Sequence, residues 1–154
     1  MITTATAVRA MRRTALLVGL TAWSGEVRAQ SFSVSGSPST MQVSTATAGL
    51  GLTPVTDAST TYNVHGGGLG NHELTVQIDV AMPAGVTLTV ELGAPNKGTS
   101  TGAVTLGVAA QPVVTNMGNG SATGSITYVL SATPDAGIVP VQTRTVTFTI
   151  VATP

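Results

Sequence analysis

The chain has 154 residues, six basic and six acidic side chains and no cysteine, which excludes disulfide staples, thiolate metal sites and a cysteine nucleophile. Four of the basic residues, Arg9, Arg12, Arg13 and Arg28, fall among the first 29, so residues 30–154 keep Lys97 and Arg144 against five acids, a formal charge of −3. That balance argues against nucleic acid or an anionic membrane surface as a partner, since both need clustered Lys and Arg.

Residues 1–29 read as a secretory signal. Arg9, Arg12 and Arg13 precede an apolar run from Ala15 to Leu20 that continues to Trp23, and Val27-Arg28-Ala29 supplies small residues before a cleavage point. The run, expected to be helical, is about half of the roughly 20 residues needed to span a membrane, so no membrane insertion is expected after cleavage. Gln30 becomes the first mature residue, and Met11 is an alternative start to Met1. The product is expected outside the cytoplasm: in a periplasm, at the cell surface or in the medium.

The remaining chain, 30–154, is the size of one domain with its own core. Thr, Val, Ser, Ala and Gly dominate it, and good helix formers are scattered, which points to strands joined by turns. Upstream, 32–34, 40–45 and 60–64 read as weaker strands, and 30–46 is loosely patterned enough to serve as an N-terminal arm. In 72–80, Leu74, Val76, Ile78 and Val80 alternate with Thr75, Gln77 and Asp79, placing one face on a core. Met82-Pro83-Ala84-Gly85 reads as a turn, and 86–92 repeats the alternation with Val86, Leu88, Val90 and Leu92. The two segments are expected to form an antiparallel hairpin.

Further along, 103–109 presents Val104, Leu106 and Val108 on one face, and 111–117 reads as a shorter strand. Gly118-Asn119-Gly120-Ser121 marks a loop. The segment 124–132 alternates Ile126, Tyr128 and Leu130 with polar partners, and Pro134-Asp135-Ala136-Gly137 turns the chain. The last strand, 142–151, sets Arg144, Val146, Phe148 and Ile150 against Thr145, Thr147 and Thr149. Short strands at intervals of roughly 8 to 12 residues predict an all-β, antiparallel β-sandwich. The immunoglobulin-like arrangement is the first expectation and a jelly roll the alternative.

Two stretches carry apparent chemistry. His65-Gly66-Gly67-Gly68 and, downstream, Gly98-Thr99-Ser100-Thr101-Gly102 match the oxyanion-hole and nucleophile signatures of lipases and esterases. A nucleophile elbow needs strand, tight turn and helix, but Ala103-Val104-Thr105-Leu106 is strand-like. No histidine follows Ser100 to serve as its base in the order that fold uses. The expectation is therefore no enzymatic activity, no catalytic residue and no cofactor.

The second candidate is a metal site from His65, His72 and Glu73, which offer imidazole and carboxylate ligands around a glycine turn. His72-Glu73 lacks the H-E-x-x-H spacing, and the preferred reading is two histidines at the base of a turn. Asp57, Asp79 and Asp135 are scattered singly, without a calcium-loop run. The only aromatics after residue 29 are Phe32, Tyr62, Tyr128 and Phe148, with Tyr128 and Phe148 on apolar strand faces, a poor supply of sugar platforms.

What stands out is the scarcity of charge: seven ionised side chains across 30–154, and one lysine, where edge strands are normally guarded by Lys, Pro or inward charges. In composition and strand rhythm 30–154 resembles exported bacterial sandwich proteins such as pilin-like and adhesin-like surface modules, without a diagnostic motif. The expected function is an exported structural module with a capacity to assemble with itself by strand addition. The rival is an extracellular binding module for a glycan or metal ion at the 65–72 loop.

Overall fold

A computed structural model describes residues 30–47, 51–66, 71–93 and 95–153. The signal segment expected at 1–29 lies outside the described residues, as do positions 67–70 of the glycine turn. Among the described residues, no helix is long and apolar enough to cross a membrane.

The fold is all-β, in two antiparallel sheets, as the alternation predicts. One sheet has the order β1-β4-β10-β6-β8 and the other β11-β5-β9-β7. Their members are β1 (Ser31–Ser35), β4 (Val55–Gly66), β5 (Asn71–Ile78), β6 (Val86–Gly93), β7 (Thr99–Ser100), β8 (Val104–Thr105), β9 (Gln111–Met117), β10 (Gly120–Ala132) and β11 (Val146–Thr153). A two-residue ladder, β2 (Ala46–Thr47) with β3 (Gly51–Leu52), stands apart, and Pro134–Ala136 forms a single 3-10 turn.

Each long strand buries alternate side chains. Leu74, Val76 and Ile78 of β5, Leu88, Val90 and Leu92 of β6, Ile126, Tyr128 and Leu130 of β10, and Val146 and Phe148 of β11 belong to one apolar cluster between the sheets. Each such side chain contributes about 1.5–3 kcal/mol relative to exposure, the driving force of a fold with no cross-link. β4 and β10 are the longest pair; their register runs from Gly66↔Gly120 to Val55↔Leu130, with one irregularity between Ile126 and Tyr128. At that bulge Thr60 is fully buried, and its hydroxyl donates to the Ile126 carbonyl at 3.3 Å. Gly124 is needed on β10: a Cβ there would run into the Gly93 carbonyl oxygen and come within 2.8 Å of the Tyr62 ring.

Several expectations are corrected. β5 and β6 do not form a hairpin, for β5 pairs with β11 and β9 while β6 pairs with β10 and β8 in the opposite sheet. The seven-residue link 79–85 crosses the sandwich, and Val80, expected inside, is exposed. The segment 103–109 is a strand only at Val104–Thr105. Leu106 N–H then bonds Leu88 of one sheet, and the Gly107 carbonyl accepts Ile78 N–H of the other, so the chain is leaving its sheet when it reaches the exposed Val108. Residues 40–45 are not a strand, although Met41 is buried. The strand expected at 60–64 is the middle of the longer β4.

Register also locates the ends of the ladder. β1 begins with Ser31 opposite His65, and β11 ends with Thr153 opposite Asn71, the residues on either side of the β4-to-β5 crossing.

Candidate functional site

The geometry divides the metal candidates. On β4, Tyr62 and Val64 face the core, so His65 faces outward, where its Nδ1 meets the Ser121 hydroxyl at 2.6 Å. On β5 the even positions again face inward, and His72 falls among them: it shares the buried face of Leu74 and Val76, contacts the Gln30 amide through Nε2, and leaves Nδ1 buried without a hydrogen-bond partner. Glu73, next along the strand, points to the opposite face of β5. The three side chains thus occupy two sheets and both inner and outer faces, and among the described residues no group of three His, Cys, Asp or Glu is positioned to hold an ion.

Ser100 lies in the two-residue edge strand β7, and its hydroxyl accepts the Gly102 N–H at 3.2 Å. Gly98 and Gly102 both adopt positive φ, closing a turn, and the chain continues into β8 rather than a helix. The strand, turn and helix of a nucleophile elbow are not what surrounds this serine. The four aromatic rings of 30–154 are likewise all buried, Phe32 against Tyr62 and Phe148, which leaves none exposed for sugar stacking.

Two ionised groups missed by the sequence reading hold the framework. Asp57 is buried to 7% exposure, and its carboxylate accepts hydrogen bonds from the backbone N–H and hydroxyl of both Ser39 and Ser59. Burial pushes its pKa up, but the four hydrogen bonds outweigh that and hold it at about 2. Across the ladder its register partner Tyr128 is driven the other way, by burial and then by the Asp57 charge. Arg144, also 7% exposed, has no carboxylate partner among the described residues; its guanidinium donates to Thr143 O at 2.9 Å, to Ala81 O at 3.0 Å and to the Gln142 side chain. Asp79 closes the same corner, accepting Thr145 N–H and Val80 N–H, and its pKa is lowered, chiefly by the Thr145 bond.

Near this end of the sandwich lies a groove of about 410 Å³, lined by Met41, Val43, Met82, Val86, Leu130 and Val141 among others. Ile138, which also lines it, and Val141 are largely exposed.

The sheet edges are the most distinctive feature. On one side of the sandwich the edges are β7 and β8, two residues each, a length that offers little template for pairing. On the other side the edges are β1 and β11, adjacent through Phe32 and Phe148, whose ring centroids are 5.1 Å apart. β11 keeps an unbroken register with β5 over all eight residues and contains no charge, proline or bulge. Asp79 N–H bonds Thr145 O, which sets the backbone parity: N–H and C=O of Thr147, Thr149, Val151 and Thr153 face β5, while those of Val146, Phe148, Ile150 and Ala152 face away. Those groups have no partner among the described residues.

No protein-family model, curated protein or solved structure matches this chain.

Proposed function

We propose that this chain is an exported structural module of the immunoglobulin-like sandwich type, working at the cell surface or outside the cell and assembling with copies of itself by adding strands across its open edge. The observation that carries this reading is β11: eight residues long, uncharged, regular, and unpaired along one side among the described residues. Other sandwich proteins guard such an edge; here the guarding devices are missing on the longest of the edge strands.

Topology supports the immunoglobulin-like assignment. The order β1-β4-β10-β6 reproduces the A-B-E-D sheet, and the antiparallel β5–β11 pair corresponds to C and F, with β9 and β7 as an extension beyond C. In that arrangement the unpaired edge of β11 is where the next strand sits. The scarcity of charge over the whole surface fits a protein whose faces meet other protein rather than water alone.

The test is light scattering and electron microscopy of purified 30–154 from micromolar to millimolar concentration. Association that increases with concentration is expected, and Ile150→Pro, which removes an outward N–H without touching the β5 ladder, should abolish it. A strictly monomeric species throughout the range overturns the reading.

A further inference from the structure

We infer that the partner on the β11 edge is β11 of a second copy, paired antiparallel about a two-fold axis through Thr149; the inference rests on the assembly reading above and specifies its partner and register.

The argument begins with parity. Residues opposite one another in an antiparallel pair point to the same face, so a strand meeting its own copy must pair even positions with even and odd with odd. Centring on Thr149 satisfies this and pairs seven of the eight strand residues, Val146 to Ala152. The outward-facing backbone groups of Val146 meet those of Ala152 of the partner subunit, and those of Phe148 meet Ile150 of the partner subunit. Each pair exchanges two hydrogen bonds.

The side chains suit that register. On the core face Phe148 lies across from a β-branched isoleucine, and on the outer face two copies of the exposed Thr149 meet on the axis; aromatic with β-branched and Thr with Thr are both favourable cross-strand pairs, each worth about 0.2–1 kcal/mol. Thr147 lies across from Val151, whose side chain is 37% exposed in the single chain and would gain cover. No ionised group occurs anywhere in Val146–Thr153, so a copy meets its twin without the like-charge repulsion that usually forbids self-pairing. β1, the neighbouring edge, is a poorer partner: five residues with three serines outward, ending at the Gly36 turn and tied through Ser39 to Asp57. A two-fold contact closes on itself, so the product is a dimer with one eight-stranded sheet, not a filament.

Absence of native cysteine makes the register directly testable. Odd positions form the closer, non-hydrogen-bonded pairs, with Cα atoms about 4.5 Å apart, within disulfide range. Thr149→Cys should therefore give a covalent dimer under mild oxidation at micromolar concentration, about tenfold above Thr123→Cys on the central strand β10. Thr147→Cys mixed with Val151→Cys should cross-link as a heterodimer, with neither doing so alone. Concentration-dependent association in which Thr149→Cys stays uncoupled, or in which Val151→Cys couples instead to Ser33→Cys on β1, overturns the two-fold pairing and leaves assembly standing. A monomer at every concentration overturns both.

Discussion

Asp57 takes both hydrogens that Ser39 offers on a single carboxylate oxygen, the backbone nitrogen at 2.9 Å and the hydroxyl at 2.5 Å from Oδ2. The other oxygen takes the matching pair from Ser59. The segment that follows β1 is thereby fastened to β4 by one ionised side chain. Asp57→Asn puts an amide hydrogen against one pair of donors and should cost on the order of 1–2 kcal/mol at pH 7, allowing for solvent screening near the surface. Because the pKa in the fold is about 2 against an ordinary 3.8, the contribution is fully present above pH 4 and fades as pH falls toward 2. Urea midpoints of wild type and variant should differ at pH 7 and converge near pH 2.

Gly124→Ala tests the close approach of β10 to β6. The added methyl meets backbone at Gly93 and the ring of the buried Tyr62, neither free to move far. A loss of about 1–3 kcal/mol is expected, measurable by thermal or denaturant unfolding. The same change at Gly107, where nothing lies within 4 Å of the new atom, should be close to neutral.

Zinc titration followed by calorimetry should give the same weak heats for wild type and for His65→Ala, since His65 and His72 face opposite sides of different sheets. Micromolar affinity lost in that variant would show that the two residues converge.

Short acyl esters should not be turned over above the buffer rate, and Ser100→Ala should leave that rate unchanged. The Ser100 hydroxyl is occupied in its own turn by Gly102 N–H and has no helix N-terminus behind it. A serine-dependent hydrolysis would reverse this assignment.

Much of the fold was legible because a strand packed on one face writes its burial into every second residue; Leu74, Val76 and Ile78, or Ile126, Tyr128 and Leu130, could hardly be read otherwise. The sheet each strand joins was not legible. Both layers of a sandwich carry the same alternation, so β5 and β6 looked like neighbours, and the Pro83–Gly85 turn encouraged that. What separates them is the exit at Asp79, whose carboxylate captures Thr145 N–H and ends the β5 ladder. The candidate site followed the same division. The lack of charge in 146–151 was visible in the sequence, but that this strand forms an edge depends on pairings between residues some seventy positions apart. Asp57 read as one scattered acid because its hydrogen-bond donors, Ser39 and Ser59, are ordinary serines until the chain folds.

Entry of β1 opposite His65 and exit of β11 opposite Asn71 put residues 31 and 153 at one pole of the sandwich. The apolar groove beside Leu130 and Val86 sits at the other, where β10 ends and β6 begins. Entry and exit at the same pole are what suit a domain to be spliced into a host loop or hung from one anchorage. Held that way, the sandwich would turn the pole that carries this groove away from the anchorage, with the β11 flank left clear along its side.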